Sequence, residues 1–419
     1  MFAPSTVPSF FSREALAGYD REILEHGVIT LIGCGAGANN EALNLALAGV
    51  GELRFVDFDT IEPSNLTRSP LFRRDVLRSG QPRHKARELA NAALELSYAA
   101  RPIVRFATSR IEELGMGALV GSGAVISAVD SFAVRALLSD WCRLLQIPLI
   151  EGGFSGSRCH VTVWPNQRPD EPCWRCVHPD VTYGGVSCTT YARAVAATGA
   201  VPATQPLAAA VGAIMAEAAI LALHGQFPLG GRLWSFDVRS GESSVFDIGR
   251  DEHCPGVHRQ ISPPRPLAAR SCEPLKKVFD AVRDALAEPV VHLPFPFIVE
   301  APCANCGATL HIGRPSWSLR EPPTCAQTCA PPDEAEHGEL FVVTQVRAGD
   351  ALATRRCRTL GLPPAAVFEI EDAATGELHA VALDGTVENV FSTKTREARE
   401  ERNAAEAARM DQEGERNNE

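Results

Sequence analysis

Through the first 260 residues, short apolar runs alternate with stretches whose apolar positions recur at helical spacing. Val28–Gly33 is the first run, followed by a glycine-rich turn and a helical stretch, Asn40–Ala48. Glu52–Asp59 returns as a second strand, and a polar loop, Thr60–Gln81, leads into an amphipathic helix at about Arg83–Tyr98. Ile103–Thr108 and Ala124–Asp130 read as two further strands, with a helix near Phe132–Gln146. Strand, crossover helix, strand is the pattern of a parallel sheet covered on both faces. Beyond Pro148 the pattern changes. Arg158–Trp164 reads as a longer strand, and Arg232–Asp247 as a hairpin turning at Ser240 and Gly241, with a helix of small residues, Gln205–Leu223, between them. The expected fold is α/β: a Rossmann-like doubly wound sheet with a parallel half and an antiparallel extension.

The proline-rich stretch Ser262–Pro266 marks a boundary. The expected organisation is a first domain over 1–260, a linker and cysteine-bearing module over 261–335, a small α+β module over 336–392, and a charged tail over 393–419. The tail is poor in apolar residues, which suits a solvated helix or a disordered segment.

The 419 residues give ample material for a large core. Forty Lys and Arg against 51 Asp and Glu leave a net charge of −11, so no whole-protein basic footprint for nucleic acid exists. Met1–Phe11 lacks the basic-then-apolar order of a signal peptide. The apolar run near Ala208–Leu223 carries Glu217 and reads as too short to span a membrane. The expectation is a soluble, cytoplasmic protein without membrane or nucleic-acid partners. In that compartment its 13 cysteines point to metal ligation or thiol chemistry rather than disulfides.

The turn after the first strand reads G-C-G-A-G-A-N, Gly33 to Asn39. Glycine lets backbone approach a phosphate, and the helix that follows offers free N–H groups and a positive dipole end. Asp57 stands about 20 positions on, where a carboxylate can accept from ribose hydroxyls. Taken alone, this turn suits a dinucleotide, or is simply a tight strand-to-helix connection.

The segment D57-F-D-T-I-E-P-S-N-L-T-R68 closely resembles the signature of the ThiF/MoeB superfamily, the ubiquitin-activating-enzyme-like adenylyltransferases. The glycine turn before it, Lys85 after it, V-D130-S131-F-A-V-R135 and C173-W-R-C176 follow in the family's order. The resemblance covers roughly Phe11 to His258, about three fifths of the chain. It implies ATP and magnesium. Gly33, Gly35, Ala36, Asp57 and Asp59 would cradle the nucleotide; Asn65, Arg68 and Lys85 would neutralise the triphosphate, and Asp130 would hold Mg2+. Arg13 resembles an N-terminal arginine that reaches a partner subunit's ATP site, which implies a homodimer. Several positions depart from the family: Glu14, Ser69 and Ser131 stand where Gln, Gln and Asn are usual, and the Arg68–Lys85 loop is longer.

The resemblance also sorts the cysteines. Cys173 and Cys176 have zinc-knuckle spacing, and the family's second pair corresponds to Cys254 with His258, His253 being the alternative. A second set, C303-A-N-C306 and C325-A-Q-T-C329, carries the paired spacing of a zinc ribbon outside the family core. Cys34, Cys142 and Cys159 read as small buried hydrophobes. Cys188, in a polar, glycine-bearing stretch after the first knuckle, falls where the family places its acyl-accepting thiol, or is an ordinary loop cysteine.

The reading is thus an enzyme that adenylates the C-terminal carboxylate of a ubiquitin-like protein, with thioester formation on Cys188 and hand-over to a conjugating enzyme, of the kind associated with antiphage defence. The 160 or so residues beyond the core favour this over sulfur-carrier activation for thiamin or molybdopterin synthesis. A non-catalytic nucleotide-binding scaffold and a nicotinamide-dependent oxidoreductase are the readings from other classes.

Overall fold

The computed structural model describes residues 9–77, 80–181, 203–319, 323–325 and 340–396. The chain enters through two short helices, α1 (Ser12–Leu16) and α2 (Arg21–His26), and then alternates strand and helix. The succession is β1 (Val28–Ile32), α3 (Ala36–Leu47), β2 (Glu52–Val56), α4 (Lys85–Leu96), β3 (Ile103–Ala107), α5 (Ile111–Leu114), β4 (Ala124–Ser127), α6 (Phe132–Leu144) and β5 (Leu149–Ser155). These five strands pair in parallel in the order β3-β2-β1-β4-β5. That order is doubly wound, and the chain reverses direction between β1 and β4. β6 (Arg158–Trp164), β7 (Arg232–Asp237) and β8 (Ser243–Asp247) continue the sheet antiparallel from β5, with a short helix, α7 (Trp174–Val177), between β6 and β7. The parallel half and its antiparallel extension agree with the expectation.

Two cores flank the sheet. On one face α3, α4 and α8 (Gln205–Leu223) bury Ala38, Leu45, Leu89, Val211 and Met215 against Ile29, Leu31 and Phe55. On the other, α6 buries Leu137, Leu138 and Trp141 with Val125 and Leu149. α8 has 19 residues and is apolar enough, by length and composition, to cross a membrane, longer than the apolar run first read there. In the fold it is a core helix, packed on α3 and over β4, β5 and β6. Its alanines and Gly212 permit that approach: a Cβ on Gly212 would stand 2.7 Å from Asn40 Cβ and 2.9 Å from the Gly37 carbonyl.

The remainder forms a second sheet. β9 (Arg265–Pro266), β10 (Pro289–Pro302), β11 (Thr309–Pro315), β12 (Phe341–Arg347), β13 (Val367–Asp372) and β14 (Glu377–Ala382) assemble in the order β11-β10-β13-β14-β9, with β12 also on β10. Helix α9 (Lys276–Val282) packs on it through Val278, Phe279 and Val282. The two modules expected over 261–335 and 336–392 therefore share one sheet, because the 14-residue β10 pairs with β11 at one end and with β13 at the other. The chain then returns to the first sheet. α10 (Val387–Val390) precedes β15 (Ser392–Thr395), which pairs antiparallel with β3 and gives the start of the expected tail a structural place.

Candidate functional site

The crevice where the strand order reverses lies at the carboxyl ends of β1 and β4, the position at which open α/β sheets bind ligands. Gly33 leaves β1 with φ +89°, and a Cβ there would stand 2.6 Å from the carbonyl oxygen of Ala128, which follows β4. Only glycine permits both the left-handed turn and this contact. Gly35 caps α3, and its Cα faces open space, so the N-terminus of that helix is approachable.

Asp57 closes one side. One carboxylate oxygen accepts from the Cys34 N–H at 2.6 Å and the other from the Asp59 N–H at 2.7 Å, tying the glycine turn to the end of β2. Burial raises the Asp57 pKa, opposed by these two donors and by Lys85. Lys85, the first residue of α4, reaches Asp59 at 2.8 Å, and its own N–H bonds the Asp59 carbonyl. Arg68 donates to the Ser64 carbonyl at 3.0 Å and has no carboxylate partner among the described residues. Asn65 lies on the same loop, with its side-chain oxygen accepting from Glu62. Asn39, on α3, accepts from the Leu71 N–H at 3.1 Å and ties this loop to the helix that follows the glycine turn. That tie was not foreseen; an asparagine in the first turn of a helix is the signal that would have suggested it.

Asp130 is exposed beyond the end of β4, and Ser131 caps α6 by accepting from the Val134 N–H. Behind them Arg135 pairs with Glu151 and donates to the carbonyls of Val129, at 2.7 Å, and Gly152, at 3.2 Å. This buried pair fixes the ends of β4 and β5 side by side, and Glu151 was not singled out from sequence. His160, also facing Glu151, is pushed down to about 4 by burial and the Arg135 charge. Arg13 is exposed on α1, whose neighbour Phe11 packs at Gly49, beyond the C-terminal end of α3. α3 has 12 residues, about 18 Å, so within one chain α1 lies toward the end of that helix remote from the glycine turn.

A second constellation lies beneath α6. Cys173, Cys176, Cys254 and His258 bring one donor atom each within 4.8 Å of the others. Cys173 Sγ lies 3.8 Å from Cys176 Sγ and 3.6 Å from Cys254 Sγ, and His258 Nε2 is 3.4 Å from the sulfurs of Cys173 and Cys176. Zinc–sulfur bonds of about 2.3 Å set tetrahedral sulfurs about 3.8 Å apart, so the four residues fit a structural zinc. The surroundings are fixed by buried charge. Arg143 donates to the carbonyls of Arg168, Glu171 and Pro172, and Asp140 receives the Val257 N–H at 2.9 Å and Arg175 at 3.3 Å. Both Asp140 and Arg143 belong to α6, whose other end begins next to Asp130. Cys303 and Cys306, in the turn between β10 and β11, form a further thiol group with Cys325. Cys188 and Cys329 lie outside the described residues.

Comparison with known proteins agrees with this geometry. Residues 11–256 match the model of the ThiF family. The molybdopterin-synthase adenylyltransferase of Salmonella typhimurium is 29% identical over 245 residues, 57% of this chain and 91% of that enzyme. The SAMP-activating enzyme E1 of Haloferax volcanii is 30% identical over 231 residues, 54% of this chain and 78% of that protein. Among solved structures, E. coli MccB with MccA-N7isoASN superposes with a TM-score of 0.51 at 18% identity, covering 61% of this chain and 76% of that one. This last likeness concerns the fold alone.

Proposed function

The chain belongs to the ThiF family, and from that membership we propose that it uses ATP to adenylate the C-terminal carboxylate of a ubiquitin-like protein. The observation that supports the reading is the crevice at the strand switch, where an approachable helix N-terminus is tied through Asp57 and Asp59 to Lys85 within the matched residues. The family match sets aside the nicotinamide reading of the glycine turn.

In the reaction proposed, a carboxylate oxygen of the partner attacks the α-phosphorus of ATP. The bond to the β,γ-pyrophosphate breaks, and an acyl-adenylate forms. The N–H groups opening α3 hold phosphate oxygens, and each Asp57 oxygen keeps a lone pair for the ribose hydroxyls. Arg68, with Lys85 released from Asp59 or shared with it, stabilises the charge on the departing pyrophosphate. Magnesium at Asp130, an open carboxylate of the type this hard cation takes, would add neutralisation of the triphosphate. The remaining contribution is orientation, since the carboxylate is already a competent nucleophile. Arg13 of a second copy would complete the site, which makes the active form a homodimer. Zinc on Cys173, Cys176, Cys254 and His258 would be structural, four protein ligands leaving no open position.

The next step rests on the sequence resemblance. The Cys188 sulfur attacks the acyl carbonyl, AMP leaves with the bridging oxygen, and the thiol proton passes to solvent. The thioester then goes to a conjugating enzyme, as in antiphage systems of this kind. A second reading, activation of a sulfur carrier, is favoured by the alignment with 91% of a molybdopterin-synthase adenylyltransferase; it shares the adenylation and omits the thioester.

The test is exchange of labelled pyrophosphate into ATP by the purified chain, with each ubiquitin-like protein encoded beside it. Partner-dependent exchange is expected, and its absence with every partner would refute adenylation. A reductant-sensitive adduct lost in Cys188→Ala separates conjugation from carrier activation.

A further inference from the structure

We propose that Cys303, Cys306 and Cys325 bind a second zinc ion, which pins the end of the β10–β11 hairpin to the segment beside it. The site lies outside residues 11–256 and does not depend on the adenylation reading. The hairpin turns through C303-A-N-C306-G307. Gly307 adopts φ +72°, the Gly307 N–H bonds the Cys303 carbonyl at 2.9 Å, and the Cys303 N–H bonds the Ala308 carbonyl at 2.8 Å. This tight turn sends both thiols to the same side.

The third thiol arrives on another piece of chain. The Ala304 N–H bonds the Pro323 carbonyl at 2.8 Å, which lays residues 323–325 along the turn. Cys325 Sγ then stands 3.4 Å from Cys306 Sγ, and the Cys325 N–H points at Cys303 Sγ, 3.3 Å away. All three sulfurs lie within 4.8 Å of one another. A disulfide needs about 2.05 Å between two sulfurs and gathers no third, whereas zinc–sulfur bonds of about 2.3 Å space thiolates about 3.8 Å apart. The backbone N–H directed at sulfur favours thiolate, the form a metal binds.

The surroundings explain why a metal is needed. This end of the second sheet has its own core of just three buried residues among those described, Ile298, Ala301 and Leu319. It is separate from the larger core around Phe279, Val291 and Phe368. Three side chains bury too little apolar area to order a turn and a crossing segment, and small modules of this kind are commonly held by a metal.

Metal content of the full chain, purified without added chelator, tests the proposal by elemental mass spectrometry. Two zinc ions per chain are expected, falling to one in Cys303→Ser/Cys306→Ser and to one in Cys173→Ser/Cys176→Ser. A zinc content unchanged by Cys303→Ser/Cys306→Ser would overturn it, as would an intact-mass loss of two hydrogens marking a Cys306–Cys325 disulfide in metal-free wild type. Should a variant fail to fold, Co2+ titration of metal-free wild type decides. Saturation of the thiolate-to-cobalt band at two equivalents supports the second site, and saturation at one refutes it.

Discussion

Glu41 lies on α3, one turn after the glycine turn, fully buried, and neither carboxylate oxygen has a hydrogen-bond partner among the described residues. α8 presses on this stretch so closely that a Cβ on Gly212 would stand 3.2 Å from the Glu41 backbone nitrogen. Burial alone raises its pKa from 4.5 to about 8. A carboxyl whose folded pKa exceeds its unfolded value is a group the native state wants neutral. The unfolded chain releases its proton above about pH 4.5, so the native state loses ground as pH rises from there to about 8, by about 1.4 kcal/mol per unit. Glu41→Gln keeps the shape and cannot ionise. Its stability relative to wild type should therefore increase by about 2 kcal/mol between pH 6 and pH 8, whatever the constant offset from placing an amide there. Urea unfolding followed by tryptophan fluorescence across that range measures the difference. If the gap between variant and wild type stays flat, Glu41 ionises normally and the burial argument is wrong.

Other consequences follow from the same geometry. Arg68→Ala should lower partner-dependent pyrophosphate exchange by about 10²- to 10³-fold with the melting temperature unchanged, since Arg68 bonds one local carbonyl and, in the proposed reaction, meets the departing pyrophosphate. Arg143→Ala empties a fully buried site and leaves three partly buried carbonyls beside the proposed zinc ligands without their donor, and should destabilise by about 3 kcal/mol, read as a lower melting temperature with faster zinc loss to a chelator. Gly212→Val drives side-chain atoms into the backbone of α3 and should lower stability by about 1–3 kcal/mol, with weaker ATP binding in calorimetry because α3 opens from the glycine turn proposed to hold phosphate.

The parallel half was legible because each strand is a short apolar run and each helix repeats at 3.6 residues. Arg158–Trp164 and Gln205–Leu223 fall where expected. β5 escaped notice because Glu151, Gly152 and Gly153 interrupt its apolar run; their places are set by Arg135 and by the His160 ring, partners distant in sequence. The second sheet was split in two for a related reason: beyond its hairpin partner β11, β10 pairs with β12 and β13, whose nearest register partner, Phe341 opposite Glu300, is 41 residues later, and no local period marks such a partner. The crevice was readable at Gly33, where a positive φ demands glycine, and at Asp57, whose carboxylate takes two backbone N–H groups. Tertiary pairs such as Asn39 with Leu71, and Arg135 with Glu151, depend on how elements dock. Cysteine spacing was informative because a tetrahedral ion imposes the same short separations in any fold.

β15 gives the order of synthesis a role. It is the outer strand of the nucleotide-binding sheet, yet its partner β3 emerges from the ribosome nearly 290 residues earlier. Until Ser392–Thr395 arrive, β3 presents a row of unpaired N–H and C=O groups, the kind of edge that recruits other chains. Closing so long a loop is entropically slow compared with the local strand–helix pairings of the first half. The nascent chain thus carries an open edge while nearly 290 further residues are made, and the nucleotide-binding sheet is sealed by the last of the described strands.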